Sequence, residues 1–128
     1  MRTRAGDKGD ARARYELGTA YLELATLADT SVSRAAIQAA IGNYVLAAIA
    51  FADAICLTVL GRRSADSDHH RAAELLAIAD RDAAGDLRRP LTFKTQAHYG
   101  PVTMSGDDLI RVGRITQRMA ERARREIG

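Results

Sequence analysis

Apolar residues return at intervals of three and four along most of this chain, the pattern of helices that each turn one face toward a shared core. The first run is Ala13, Leu17, Ala20, Tyr21, Leu24, Leu27 and Ala28. It predicts an amphipathic helix with those residues inward and Arg14, Glu16 and Glu23 on other faces. Asp29-Thr30-Ser31-Val32-Ser33 supplies turn and cap chemistry ahead of a second helix, from about Arg34 to Leu60. That helix is apolar on nearly every face, and between Tyr44 and Leu60 its one strongly polar side chain is Asp53. A run of roughly 20 such residues is long enough for a membrane span. The carboxylate and the alanine content instead favour a helix at the centre of a bundle, or one covered in part by a second subunit.

Gly61 is placed to end this helix, and Ser67 or Asp68 to cap the next, which presents Ala72, Leu75, Leu76 and Ala79 inward and stops at Asp82-Ala83-Ala84-Gly85. Between Leu87 and Tyr99 the pattern allows a short helix opened by Pro90, with Gly100-Pro101 interrupting the chain beyond it. Ser105 and Asp108 have capping-box spacing, and Leu109, Val112, Ile115, Met119 and Ala123 form the stripe of a last helix. The expected fold is all-α, an antiparallel bundle of four to five helices. Residues 1–10 form a flexible N-terminal lead and 11–128 a single domain.

Composition agrees: aromatics are few, Pro90 and Pro101 are the two prolines, and 128 residues suffice for one core but not two. The basic start Met1-Arg2-Thr3-Arg4 leads into Gly, Asp and Lys rather than an apolar core, so a cytoplasmic protein without a membrane anchor is expected. A net charge of +3 permits an RNA or phosphate partner without requiring one. Cys56, the single cysteine, sits in an apolar run and is expected to pack as a small hydrophobe.

Candidate chemistry gathers in Leu60-Gly61-Arg62-Arg63-Ser64-Ala65-Asp66-Ser67-Asp68-His69-His70. Arg63 lies in a loop and His69 in the opening turn of the next helix, where exposed N–H groups and the helix dipole favour an anion and disfavour a charged imidazole. A neutral imidazole accepts a proton, which suits activation of a ribose 2′-hydroxyl while an arginine stabilises the phosphate. A capped, solvated loop has the same spacing. Asp53, isolated in an apolar helix, needs a partner, and Arg62, Arg63 and His69 are candidates because its helix ends at this loop. Asp66, Asp68, His69 and His70 also contain metal-ligating groups, but neighbours in a forming helix point in different directions, so no metal or other cofactor is expected. Arg111, Arg114, Arg118, Arg122 and Arg125 form a basic stripe that reads either as a nucleic-acid surface or as a solvated helix face. No nucleotide-binding glycine loop or GxSxG element is present.

These segments resemble the HEPN superfamily, small all-α bundles marked by an Arg followed after four to six residues by a His. Arg63 to His69 fits, as do Arg62 to His69 and Arg63 to His70. The likeness extends to Asn43-Tyr44-Val45-Leu46-Ala47, Ala52-Asp53-Ala54-Ile55, Gly61-Arg62-Arg63-Ser64, Asp68-His69 and Lys94-Thr95-Gln96-Ala97-His98-Tyr99, covering roughly residues 35 to 120. It implies a homodimer acting on RNA or a nucleotide. In many members the activity is a metal-independent endoribonuclease of toxin-antitoxin or defence systems, partnered by an antitoxin or a small nucleotidyltransferase. In others it is non-catalytic binding of nucleotide, RNA or protein. Carried onto this chain, the resemblance makes Arg63, His69 and Asp53 the catalytic candidates and Arg62, Asp68, Lys94 and Tyr99 the substrate-binding ones.

Overall fold

A computed structural model describes residues 1–30, 33–99 and 104–128, the side chains of 95–99 excepted. Among them, five helices form an all-α bundle: α1 (Lys8–Ala28), α2 (Arg34–Leu60), α3 (His69–Ala79), α4 (Arg81–Tyr99) and α5 (Gly106–Ile127). Two three-residue strands, β1 (Thr3–Ala5) and β2 (Arg62–Ser64), form a small antiparallel ribbon. α2 is the axis of the bundle and touches all four other helices. It is long and apolar enough to cross a membrane, but 67% of its most apolar stretch is buried against its neighbours. Phe51, Ile41, Ile55 and Val45 are among its fully buried side chains.

The way α1 covers α2 departs from the expected face. Its buried residues are Ala11, Gly18 and Ala25, with Tyr15, Leu22 and the expected Tyr21 and Ala28 packed partly against the core, whereas Leu17, Leu24 and Leu27 are exposed, Leu27 to 71%. The physical reason is close approach. A β-carbon at position 18 would lie 2.7 Å from Phe51 Cε1, so only glycine lets α1 seat this near to α2. Periodicity finds the helix, but it aligns the inward face on the leucines, and the seam of Ala11, Gly18 and Ala25 faces in instead, leaving Ala13 and Ala20 exposed as well.

The helix ends follow local chemistry. Asp7 and Asp10 form the capping box of α1. Gly61 closes α2 in the left-handed conformation at φ 72°, and Asp68 caps α3, its carboxylate accepting from the His70 N–H. Ser105 and Asp108 cap α5, whose expected stripe is buried throughout. Buried Thr116 on this helix donates to the Val112 and Tyr44 carbonyls and so links α5 to α2.

Two boundaries differ from expectation. α3 ends at Asp80 rather than at Asp82–Gly85, because the Asp80 carboxylate accepts from the Ala83 N–H and starts α4 at once. Gly85 then lies inside α4 without a positive φ, and Pro90, expected to open a helix, is fully buried within one. Its ring fills the core at the loss of one backbone hydrogen bond. The expected break at Gly100-Pro101 lies outside the described residues. The lead 1–10 contains β1, whose register pairs Thr3 with Ser64, Arg4 with Arg63 and Ala5 with Arg62. Further bonds from Gly6 N–H to the Gly61 carbonyl, Ala65 N–H to the Arg2 carbonyl and Arg2 N–H to the Asp66 carboxylate tie this segment along the loop after α2.

Replacing Gly18 with Val should destabilise the fold by roughly 1–3 kcal/mol, since overpacking a filled core outweighs the gain in helix propensity. Urea denaturation measures this, and Leu27→Ala, on the exposed side of the same helix, should cost far less.

Candidate functional site

The end of α2, the ribbon and the start of α3 surround a cleft of about 190 Å³ lined by Arg14, Asp53, Arg63, Asp66 and His69, with Ile49 and Ala72 supplying apolar wall. Of the three pairings of arginine and histidine that the sequence allows, the structure brings only Arg63 and His69 to this cleft. Arg62 and His70 are exposed and outside its lining. Alternation along β2 explains the first: consecutive strand residues point to opposite sides, so Arg63 faces the cleft and Arg62 does not. His70 follows His69 in a helix and is rotated away from it.

Asp53 is 7% exposed. Its ion-pair partner is Arg14 of α1, at 3.7 Å, rather than Arg62, Arg63 or His69. Arg63 contributes through its charge alone: burial pushes the Asp53 carboxyl up to about 6, while Arg14 and then Arg63 oppose that rise. Arg63 itself lines the cleft, donates to the Ser64 carbonyl at 3.2 Å and forms no ion pair among the described residues. His69 is half-buried as the first residue of α3. Burial and then the nearby Lys94 charge hold its imidazole below the ordinary value of 6.5, against a smaller opposing effect of Asp68.

The remaining expected residues have other places. Asp68 is exposed, and by capping α3 it occupies the helix end that was expected to receive an anion. The cations that line the cleft are therefore the guanidinium groups of Arg14 and Arg63. Lys94 is half-buried, outside the lining but near enough for its charge to act on His69. The Tyr99 side chain lies outside the described ones. Among the described residues no group of three or more His, Cys, Asp or Glu side chains gathers in a metal-binding arrangement. Cys56 packs in the core, and burial, with Asp53 nearby, pushes its thiol up to about 12.

Sequence reasoning missed Arg14. It depends on which face of α1 points inward, and the one available signal was the small-residue seam Ala11, Gly18, Ala25, which places the adjoining turn against α2. The arginine stripe of α5 divides. Arg118 pairs with Asp86 at 2.9 Å and Arg122 with Asp80 at 3.1 Å, fastening α5 to the α3–α4 corner. Arg111, Arg114 and Arg125 form no ion pair among the described residues, so two of the five stripe arginines clasp neighbouring helices and three do not.

The buried carboxylate has a thermodynamic signature. Unfolded, Asp53 ionises near 3.8; folded, near about 6. Between those values the folded chain keeps a proton the unfolded chain has lost, so this group's contribution to stability falls as pH rises through the window. Asp53→Asn cannot ionise. Its stability relative to wild type should therefore climb between about pH 4 and pH 7 in urea titrations, and parallel profiles would refute the assignment.

No protein-family model, curated protein or solved structure matches this chain.

Proposed function

We propose that this chain is a HEPN-like RNA-acting protein whose Arg63–His69 cleft cleaves RNA without a metal, in a homodimer. The observation that carries the proposal is the meeting of an unpaired arginine and a histidine held toward its neutral form in one cleft above a buried carboxylate.

In this reading the His69 imidazole removes the proton from a ribose 2′-hydroxyl, and the 2′-oxygen forms a bond to the adjacent phosphorus as the bond to the 5′-oxygen breaks. The products are a 2′,3′-cyclic phosphate and a strand whose 5′-oxygen has taken up a proton. Arg63 balances the charge that grows on the non-bridging oxygens. Asp53 is a positioning residue: its carboxylate holds Arg14 across the cleft floor and acts on Arg63 through space. One chain offers one histidine at the cleft, so a two-fold assembly would provide the second, acidic imidazole that protonates the leaving oxygen. An antitoxin or nucleotidyltransferase partner would act by covering the cleft.

Incubation with structured and unstructured RNAs in EDTA tests this. Wild type should yield cyclic-phosphate ends, and Arg63→Ala and His69→Ala should each lose about a hundredfold or more in rate. Because one His69 must be neutral and its symmetry mate protonated, and burial lowers both below the ordinary value of 6.5, the wild-type rate should pass through a maximum below pH 6.5 and fall on either side. Equal cleavage by all three proteins would refute the catalytic assignment; saturable RNA binding without turnover would replace it with a binding module.

A further inference from the structure

The cleft does not end at Arg63. A second pocket, of about 280 Å³, adjoins it and is lined by Arg4, Asp10, Arg14, Leu57 and Arg63, so Arg14 and Arg63 belong to both. The link is made by the ribbon. Arg4 and Arg63 are paired across the two strands, and directly opposed residues of an antiparallel pair project from the same face with their side chains close together. Two like charges so opposed destabilise a ribbon, and Arg14 from α1 adds a third guanidinium to the same pocket wall.

Three carboxylates share the two pockets with these guanidiniums, Asp53 and Asp66 in the first and Asp10 in the second, but ion pairing reaches only one of the arginines. Arg14 is paired with Asp53, but neither Arg4 nor Arg63 forms an ion pair among the described residues. Asp10 is the one carboxylate lining the second pocket, and one of its oxygens already accepts from the Asp7 N–H in the α1 capping box. Backbone bonds from Gly6 to Gly61 and from Ala65 to Arg2 hold β1 in place on both sides of Arg4, so its position is fixed by main chain and not by its own charge. The repulsion is thus built into the ribbon, and a multiply charged anion is what would relieve it.

We infer that the two pockets form one groove that holds consecutive phosphates of a single RNA strand, the first at Arg63 and His69 and the second at Arg4 and Arg14. The inference rests on the RNA reading above for the identity of the strand. It adds a second phosphate site beyond the scissile one, held by the β1 arginine that is remote in sequence from the Arg63–His69 segment. Apolar Leu57 and Ala13 on the second pocket's wall offer a surface for the sugar between the two phosphates. The strand's continuation is set by the line of the ribbon, from α3 toward the start of α1.

Binding of 2′-O-methyl oligoribonucleotides, which cannot be cleaved through the 2′-oxygen, separates this inference from the proposed chemistry. A trinucleotide with two internal phosphates should bind wild type about tenfold more tightly than a dinucleotide with one, the scale of one charge-assisted contact. Arg4→Gln should remove that gain and lower the salt slope of trinucleotide binding by about 0.7, while Arg4→Lys restores most of both. Circular dichroism melts should show no loss of stability in either variant, since β1 is held by backbone bonds and Arg4→Gln only removes a repulsion. Equal affinity for the two lengths, an unchanged slope in Arg4→Gln, no binding of either strand, or equal competition by an acidic peptide of the same charge would each overturn the inference. Arg4-dependent binding by a protein that cleaves no RNA would leave it standing and remove the catalytic reading instead.

Discussion

The contact of α1 with α2 through Ala11, Gly18 and Ala25 is the constraint on which the other features rest. α2 is apolar on almost every face and must be covered all round, and α1 covers it closely only because a glycine stands where Phe51 fills the interface. That seating carries Arg14 to Asp53, the carboxylate that α2 buries in its otherwise apolar length. Without the guanidinium at 3.7 Å only the charge of Arg63 would oppose the carboxylate's desolvation. Packing and chemistry are therefore joined at one place: the helix that closes the core also supplies the cation that holds the site together.

From there the site is assembled by short-range rules. Gly61 turns the chain out of α2, β2 alternates so that Arg63 points in and Arg62 out, and Asp68 caps α3 so that His69 opens it beside the cleft. β1 clips the loop from its other side and brings Arg4 level with Arg63. The result is a half-enclosed set of groups with distinct electrostatic states: guanidiniums facing a small polar volume, an imidazole held toward neutrality and a carboxylate with a raised pKa. Perturbed protonation of this kind, gathered in one cleft, is common at functional sites.

Much of this was legible in the residue pattern. The length of α2, its stop at Gly61, the caps at Asp68 and Ser105 and the stripe of α5 arise from local preferences, which is why they could be placed. So could Asp53's need for a partner, because a carboxylate in an apolar helix is costly wherever the helix packs. What stayed hidden depends on distant segments. Three-residue strands are too short to show alternation, so β1 was invisible until its partner β2 was known. The inward face of α1 was obscured because periodicity gives weight to leucines and not to the small residues that permit close approach. Arg14 was lost with it. Asp80 starts α4 and holds Arg122 through a carboxylate whose partners, the Ala83 N–H and a guanidinium 42 residues away, meet only in the fold.

The central claim is that His69 and Arg63 act on one phosphate in one cleft. The most direct measurement is the NMR titration of the His69 imidazole, assigned by its loss in His69→Ala, in the free protein and with a 2′-O-methyl RNA strand bound. Burial and Lys94 should place the free titration below 6.5. Bound phosphate should move it upward by favouring the imidazolium, and Arg63→Ala should abolish that movement. A free His69 titrating at or above 6.5, or one whose titration RNA does not move, would contradict the account.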